Sequence, residues 1–466
     1  MERKSVSLIL KNAYVITVDP QRRIFAHGAL AVDGDRIAAV GPEREILSRF
    51  TADEVYDCEG GIVHPGLIDA HEHLAWHLMR CIVPDTFTVE QVWERYENPI
   101  THHFTGTEEY WSALLATLEM AMDGTTMFGD TGGSRFHDDM FRGANIVGVK
   151  GCTSHGISDN YTPELKVMEY PYEKCLELFE DELSRYPRTK GRPVGAHVGL
   201  PGMEHTSAKL AVAAKELAHK YHVQLHIHTS VYESEIAWFR EHHHCTPIEF
   251  YDGLGILDEG TTLIHVIHTS DHDLDILEKR KPYVVHCPGA SFRYALGAMR
   301  VGRFLEMHRR GVKIALGTDS GVWCDGLDIF QQMYLACVGH REATGVYPYF
   351  TCSDVFEMAT INGAGAMGAS AECGSLEAGK AADIVIHTLR RPELITPADR
   401  LQQLIYASQS RSVDSVLVDG RFIVRHGKPE TVDLDALAPQ FAERQRDIVS
   451  RMGFTYREDW PVIRQG

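Results

Sequence analysis

The chain lacks the features that mark several specialised classes of protein. Of its 466 residues, 46 are Lys or Arg and 65 are Asp or Glu, so the formal charge is −19. Without a basic excess, we expect no nucleic-acid partner and no anionic membrane surface. No uncharged apolar run reaches the length of about 18 residues that a membrane span needs. Residues 5–18 are apolar but carry no small-residue cleavage pattern, which favours a strand over a signal peptide.

Cysteine is scarce, with ten residues and no C-x-x-C pair, so a disulfide scaffold is excluded and a reduced, cytoplasmic protein is expected. There is no internal repeat and no low-complexity segment. The content of 44% apolar and 24% charged residues is typical of globular proteins and excludes a disordered or fibrous chain. Histidine, in contrast, occupies 26 positions. Because histidine is the commonest side-chain metal ligand, its placement along the chain is informative.

The pattern of apolar runs predicts an α/β fold. Up to residue 60, short apolar runs alternate with turn dipeptides, which indicates an all-β segment. From residue 61, short buried strands alternate with helical segments. Eight such repeats predict a (β/α)₈ TIM-like barrel, with a doubly wound open sheet as the competing fold. No G-x-G-x-x-G follows the first strand, which disfavours the open sheet. The predicted strands are Ile62–His71, Thr125–Asp130, Ile146–Thr153, Val194–Val198, Val223–His228, Thr261–His268, Tyr283–Cys287 and Val312–Thr318.

The two chain ends are predicted to form one further domain. After about residue 372 the β pattern returns, with turns at Asp419-Gly420 and His426-Gly427. We therefore expect residues 1–60 plus 372–434 to form a small β-sandwich domain, with the barrel of residues 61–371 inserted between its halves. Residues 435–466 are predicted to be a C-terminal helical tail.

Polar side chains stand at the C-terminal ends of four predicted strands. The first strand ends in His71-Glu72-His73, the fifth in His226-Ile227-His228, the sixth in His265 and the eighth in Thr318-Asp319. In a barrel these ends converge on one face, and residues i and i+2 of a strand point the same way. Three imidazoles and a carboxylate suit a transition-metal ion with an open position for water. Each fragment alone could be structural, since Asp319 could cap a helix, but their joint placement predicts a metal site.

Other histidines are less informative. His155 and His197 lie near the ends of the third and fourth predicted strands and either line the pocket or serve the core. The runs 102–103 and 242–244 lie in charged segments and are interpreted as surface.

Several motifs resemble the amidohydrolase superfamily, and within it the cytosine-deaminase-like and chlorohydrolase-like branch. They are His64-Pro-Gly-Leu-Ile-Asp-Ala-His-Glu-His-Leu74, Gly317-Thr-Asp-Ser320 and the segments 123–130, 359–364, 374–383 and 418–421. The resemblance implies a TIM-like barrel with a flanking β-sandwich built from both chain ends.

The same resemblance implies a set of site residues. It assigns one divalent ion per chain to His71, His73, His228 and Asp319, with zinc foremost and cobalt, iron or manganese as alternatives. Asp319 would act as general base, and His265 would orient the attacking water and polarise the scissile bond. The fourth strand carries no lysine that could bridge two ions, which favours a single ion, although His197 could still recruit a second.

The sequence departs from this branch beside the predicted site. Relatives that deaminate or dechlorinate rings carry a glutamate three residues after the fifth-strand histidine, but position 231 here is valine. The segment His286–Phe292 also replaces the usual P-T-S-N. A missing proton relay and an altered substrate wall are therefore expected. His155, His197, Phe292 and Trp323 are the candidates for contacts with substrate.

These departures predict a hydrolase that cleaves a C–N or C–S bond at an amide, carbamate, thiocarbamate or urea carbonyl of a small molecule. The chain resembles herbicide-degrading carbamate and phenylurea hydrolases in this respect, so xenobiotic degradation by a cytoplasmic homo-oligomer is expected. The alternative is an aminohydrolase or dechlorinase of a nucleobase, triazine or related heterocycle, with His155 or Glu233 relaying the proton. A non-catalytic binding barrel is a third hypothesis, which the complete ligand set disfavours.

Overall fold

The computed structural model describes residues 3–160, 163–189, 191–454 and 460. The strands are β1 (Lys4–Ile16), β2 (Ile24–Asp33), β3 (Arg36–Pro42), β4 (Phe50–Asp57), β5 (Ile62–Pro65), β6 (Leu67–Glu72), β7 (Thr125–Asp130), β8 (Lys150–Thr153), β9 (Val194–Ala196), β10 (Val198–Leu200), β11 (Leu225–Thr229), β12 (Thr261–His265), β13 (Tyr283–His286), β14 (Ile314–Leu316), β15 (Ile384–His387), β16 (Val413–Val418), β17 (Arg421–Arg425) and β18 (Lys428–Pro429).

The helices mostly lie between successive parallel strands. They are α1 (Glu43–Arg49), α2 (Val89–Val92), α3 (Asn98–His103), α4 (Gly106–Met122), α5 (His137–Ala144), α6 (Tyr172–Arg185), α7 (Ala208–Tyr221), α8 (Glu233–His243), α9 (Pro247–Gly253), α10 (Asp271–Arg280), α11 (Pro288–Tyr294), α12 (Ala298–Val301), α13 (Phe304–Arg309), α14 (Ile329–Thr344), α15 (Cys352–Met358), α16 (Ile361–Ala366), α17 (Arg400–Gln402) and α18 (Leu434–Arg451). Among the described residues, none of these helices combines the length and apolar character that crossing a membrane requires.

Strands from both chain ends form one nine-stranded mixed sheet. Its order is β18-β17-β16-β15-β5-β1-β2-β3, with β4 parallel to β1. The first half of the 13-residue strand β1 pairs with β4 and its second half pairs with β5, with register shifts around Ala13. Because β1 pairs with both β4 and β5, hydrogen bonds join all nine strands into one continuous sheet, and the packing of this sheet as a sandwich stays a prediction. Apolar side chains from both ends, such as Leu10 and Ile384, share one buried core.

The first predicted strand, Ile62–His71, is divided at Gly66. Residues 62–65 pair with β1 and β15 in the mixed sheet, and residues 67–72 begin the parallel strands. A Cβ atom at Gly66 would lie 1.9 Å from the Thr126 hydroxyl oxygen, so only glycine permits this close approach. The mixed sheet therefore extends to residue 65, beyond the boundary predicted at residue 60.

The remaining strands form two parallel sheets, ordered β6-β7-β8-β9 and β10-β11-β12-β13-β14. Only His197 separates β9 from β10, so the predicted strand Val194–Val198 is interrupted there. At the opposite edges, Glu72 and Asp319 form a parallel bridge, and the Asp319 N–H donates to the His71 carbonyl oxygen at 2.9 Å. The predicted strand Thr125–Asp130 has the observed bounds of β7, and the later strands are shorter than predicted.

A buried cation joins the parallel strands to the C-terminal segment. The Lys150 ammonium group on β8, 2% exposed, lies 2.8 Å from carboxylate oxygens of Glu372 and Asp383 and 3.0 Å from Asp419. These three carboxylates hold the pKa of Lys150 above its ordinary value despite its burial. Residues 435–451 of the predicted helical tail lie in α18, which packs Phe441 on Trp111 of α4. The tail residues 455–459 and 461–466 lie outside the described part of the chain.

Candidate functional site

Three predicted metal ligands contact one another where the parallel strands end. The Asp319 Oδ1 atom lies 3.6 Å from His71 Nε2 and 3.7 Å from His73 Nε2. The His228 ring centroid is 4.8 Å from that of His71 and 5.4 Å from that of His73. Ligand atoms at 2.0–2.2 Å from one tetrahedral ion are roughly 3.4 Å apart, so this spacing fits a shared metal ion. His71 Nε2 is buried without a hydrogen-bond partner among the described residues, as a metal-facing nitrogen would be.

Hydrogen bonds to the loop after β7 orient two of these rings. His73 Nδ1 donates to the Gly132 carbonyl oxygen at 2.7 Å, and His71 Nδ1 bonds the Thr131 hydroxyl at 3.1 Å. The Nε2 atoms of both rings are thereby turned toward Asp319, the arrangement that supporting hydrogen bonds give to metal-binding histidines. Burial lowers the pKa values of His71, His73 and His228. The imidazoles are therefore neutral at pH 7, the form that binds metal.

A buried carboxyl group behind the ligands ties the first parallel strand to the last. Asp69 accepts hydrogen bonds from the His71 N–H at 3.2 Å and from the Thr318 N–H at 3.1 Å. The Thr318 hydroxyl donates to the second carboxylate oxygen of Asp69 at 2.5 Å. Burial raises the pKa of Asp69 to about 7. This network sets the position of Asp319 relative to His71, because it joins the residues next to each of them.

His265 and Asp319 both have positive φ angles, 73° and 77°. Such angles are uncommon outside glycine and cluster at functional sites. His265 Nε2 lies 4.0 Å from Asp319 Oδ2, so this carboxyl group has one oxygen beside the ligand rings and the other toward His265. Burial raises the pKa of Asp319, while His265 and His73 act to lower it. Asp319 thus stands between the predicted metal position and the predicted orienting histidine.

The cluster opens onto a cavity with aromatic walls. Its lining includes four residues of the cluster and four aromatic residues, which are His73, His228, His265 and Asp319, and Trp76, Trp93, Tyr232 and Trp323. Trp76 stacks on His73 with centroids 4.9 Å apart, and Trp93 packs edge-on against Trp323 at 5.8 Å. Flat aromatic walls of this kind fit a planar, largely apolar ligand.

A buried carboxyl group, Glu97, also lines this cavity. It ends the π-helical turn Trp93–Glu97, and Trp323 Nε1–H donates to its Oε2 atom at 3.0 Å. Burial, and to a lesser degree the charge of Asp319, raises the pKa of Glu97 to about 8. Sequence reasoning did not single out Glu97, Trp76 or Trp93. The available signal was their position in the loop after the first parallel strand, since such loops build the active site of barrel enzymes.

Of the four residues predicted to contact substrate, Trp323 lines the cavity and His155 does not. His155 lies instead in a buried group, where its ring stacks on His137 at 3.9 Å and its Nε2 is 3.8 Å from Glu182. The side chain is therefore directed into the packing between the third strand and the helices that flank it.

His197 and Phe292 also lie outside the cavity. His197 Nε2 bonds the Asp130 carbonyl oxygen at 2.7 Å and packs edge-on against His226, so it fills the core below the site. The Phe292 side chain is 48% exposed and covers Gly339 on α14. Both residues follow strands, but neither backbone position aims its side chain at the cluster.

Val231 lines the cavity and is 3% exposed. Glu235, four residues later, accepts hydrogen bonds from the N–H groups of Ser230 and Val231, both at 2.8 Å. Its carboxylate is thus committed to the backbone at the start of α8. Glu233, one of the two residues considered as a relay, is exposed and lies outside this cavity.

Comparison with known proteins places the chain in a family. Residues 62–423 match the model of the amidohydrolase family, and residues 28–52 match an imidazolonepropionase-like composite domain of bacteria. A 5-methylthioadenosine/S-adenosylhomocysteine deaminase from Syntrophobacter fumaroxidans is 30% identical over 93% of this chain and 97% of its own length. A 5'-deoxyadenosine deaminase from Methanothermobacter thermautotrophicus is 31% identical over 87% of this chain and 91% of its own length.

Solved structures with a similar fold include zinc-bound proteins. An adenosine deaminase from Xanthomonas campestris with bound zinc aligns with a TM-score of 0.89 at 21% identity, covering 97% of this chain and 100% of that one. Atrazine chlorohydrolase TrzN from Arthrobacter aurescens, complexed with zinc, aligns with a TM-score of 0.85 at 22% identity, covering 94% and 100%. On the match over residues 62–423, the chain belongs to the amidohydrolase family and is a hydrolase.

Proposed function

We propose that this chain is a metal-dependent aminohydrolase that removes an amino group from the planar ring of an adenosine-type nucleoside or a related N-heterocycle. The observation that carries the proposal is the placement of His71, His73, His228 and Asp319 at one end of a cavity with aromatic walls. The named activities of relatives at about 30% identity also favour ring deamination over the carbonyl hydrolysis that the sequence alone favoured.

His71, His73, His228 and Asp319 are the residues that would hold one divalent ion, with zinc foremost. Their neutral imidazoles and carboxylate suit zinc, as does the orphaned His71 Nε2. When bound, such an ion supplies activated water and polarises the group under attack. A single ion per chain agrees with the fourth strand, where β9 and β10 carry no lysine.

The chain's own residues can move the protons of the reaction. Asp319 would take a proton from the attacking water and deliver it to the departing amine, because its carboxyl group stands between the ligand rings and His265. His265 would hydrogen-bond the attacking water and stay bonded to the same oxygen as it becomes attached to carbon. Trp76 and Trp323 would hold the flat ring between the cavity walls.

A second candidate function is hydrolysis of an amide, carbamate or urea carbonyl. The observation that favours it is Val231, since no carboxyl group stands where ring-deaminating relatives carry the relay glutamate. An acyclic carbonyl needs no ring protonation, so Asp319 alone could complete that reaction.

The products separate the two functions. Purified, zinc-loaded protein would be incubated with adenosine, 5'-deoxyadenosine, 5'-methylthioadenosine and cytosine, and in parallel with an activated anilide, a carbamate and a phenylurea. We expect ammonia from at least one purine nucleoside, released at least about 10²-fold more slowly by Asp319→Asn. Release of larger amines from the carbonyl compounds, without ammonia from any ring, would contradict the proposal and favour the second function.

We further propose that the two parallel sheets close as a (β/α)₈ barrel inserted between the two halves of the mixed sheet. The support is at the junctions, where His197 alone separates β9 from β10 and Asp319 bridges to Glu72. Small-molecule substrates, assembly as a homo-oligomer and a cytoplasmic location stay predictions from the sequence.

A further inference from the structure

The carboxyl group that is absent at position 231 has a counterpart in another part of the same cavity. Val231 and Glu97 both line it, together with His265 and Asp319. Attack of water on an aromatic ring carbon requires that the neighbouring ring nitrogen gain a proton, and valine cannot supply one. Glu97 comes from the loop after the first parallel strand, whereas position 231 follows the fifth, so the two approach the cavity from different segments.

The surroundings of Glu97 suit a proton donor. The residue is 2% exposed, and burial raises its pKa to about 8, so it is mostly protonated at neutral pH. Within the described part of the chain, Trp323 is the hydrogen-bond partner of this carboxyl group, through Oε2. Oε1 is thus left for a ligand. Burying a polar group without a full set of hydrogen bonds costs free energy, and a buried acid with a shifted pKa in a cavity is a candidate functional group.

Other titratable groups near the cavity are less suited to donate this proton. His205 also lines the cavity, but burial lowers its pKa, so its imidazole is neutral at pH 7 and is a weak acid. Glu235 accepts two backbone hydrogen bonds, Glu233 is exposed, and His155 packs against Glu182 and His137. Burial raises the pKa of Tyr232 well above its ordinary value, so this phenol is a poor acid toward a ring nitrogen. Glu97 is therefore the side chain whose protonation and placement both fit.

We propose that Glu97 is the acid that protonates the ring nitrogen beside the carbon under attack, in place of the glutamate that is missing at Val231. This inference rests on the proposed deaminase function. It also narrows the substrate class to rings that place a basic nitrogen next to the carbon carrying the amino group.

The proton balance closes without an additional reactant. As the water oxygen bonds to the ring carbon, one water proton goes to Asp319, and the Glu97 proton goes to the ring nitrogen, which takes the electron pair of the C=N bond. The carbon–amine bond then breaks, and the amine leaves as ammonia with the proton from Asp319. The remaining hydroxyl proton is released as the carbonyl forms, and Glu97 regains a proton. In the overall reaction, the ring amine and water are converted into the ring lactam and ammonia.

The test is Glu97→Gln, which keeps the size of the side chain and an oxygen for the Trp323 N–H but cannot act as an acid. We expect kcat for ammonia release to fall by about 10²–10⁴-fold, with loss of the alkaline limb of the pH profile near pH 8. Glu97→Asp keeps the acid and is expected to retain more activity than the Gln variant. The matched control is Glu94→Gln in the same π-helical turn, where the side chain is exposed and activity should not change.

Transplanting the acid supplies a readout that a structural role would not give. In the double variant Glu97→Gln/Val231→Glu, a carboxyl group returns to the cavity at position 231, and we expect part of the lost kcat to be recovered. Zinc content and melting temperature would be measured for every variant, so that a misfolded protein is recognised. If Glu97→Gln is misfolded, the activity retained by Glu97→Asp tests whether an acid is needed at this position.

The outcomes distinguish this inference from the proposed function. If the wild-type protein deaminates a nucleoside and Glu97→Gln keeps its kcat and its pH profile, the deaminase stands and the role of Glu97 is refuted. If the wild-type protein releases no ammonia from any ring but hydrolyses carbonyl substrates, the proposed function fails, and the ring-protonating role fails with it.

Discussion

Replacing Trp323 by phenylalanine should move the alkaline limb of the pH profile in a direction that the structure determines. The Trp323 N–H donates to Glu97 Oε2 at 3.0 Å and acts to lower the pKa of Glu97, whereas burial and Asp319 raise it to about 8. Phenylalanine keeps an aromatic wall but removes the donor. The charged form of Glu97 then loses its hydrogen bond inside the cavity.

The size of the shift follows from the two protonation states. Hydrogen bonds to charged groups contribute about 1.5–3 kcal/mol and those to neutral groups about 0.5–1.5 kcal/mol. Losing the Trp323 donor therefore costs the carboxylate about 1–1.5 kcal/mol more than the neutral acid, which is about one pKa unit. Because Glu97 must be protonated to act, activity falls as pH rises through its pKa. A higher pKa moves this fall upward, from near pH 8 to about one unit above it.

The measurement is kcat/KM for a deaminated nucleoside between pH 6 and 10, for the wild-type protein and for Trp323→Phe. Trp93→Phe is the matched control, since Trp93 lines the same cavity 5.8 Å from Trp323, measured between ring centroids, and has no hydrogen bond to Glu97 among the described contacts. Its limb should stay in place. A Trp323→Phe limb at the wild-type pH, or at a lower pH, would refute the assignment of the limb to Glu97.

Three further predictions concern the metal site and the fold. Asp319→Asn should lower turnover by about 10²-fold or more in metal-replete protein, because it removes a base and weakens a ligand; unchanged turnover would show that another group takes the proton. Removal of metal with a chelator should abolish activity, and one equivalent of zinc per chain should restore it; a need for two equivalents, or activity in the metal-free protein, would contradict the single-ion site. Lys150→Met should lower the free energy of unfolding by about 3–5 kcal/mol in denaturant titrations, because three carboxylates lose their buried cation. Lys174→Met, at a side chain that is 42% exposed, is the control and should change stability by about 0.5 kcal/mol or less; an equal effect of both substitutions would exclude the buried cluster as the cause.

Most of the predicted metal-binding residues could be found from the sequence, because they directly follow apolar runs that mark the ends of strands. His71 and His73 are two residues apart at the end of an apolar run, and Asp319 directly follows another, so alternation along a strand and convergence of parallel strands suffice to bring them together. The same reasoning left open whether His155 and His197 line the pocket or serve the core, and in the structure both pack outside the lining of the cavity. Proximity to a strand end does not specify the direction of a side chain when the strand is interrupted, as it is at His197.

The sequence by itself therefore determined the α/β alternation, the strands that the two ends of the chain contribute and the positions of the predicted ligands at the strand ends, since each depends on short-range periodicity. Only the tertiary structure decided which residues face the ligands from other segments. The π-helical turn carries Trp93 and Glu97, and both contact Trp323, which lies in a loop more than 200 residues further along the chain. No local sequence pattern predicts these contacts. The division of the first predicted strand at Gly66 likewise depends on contact with Thr126 on a neighbouring strand, a packing constraint that becomes visible only when the strands are placed side by side.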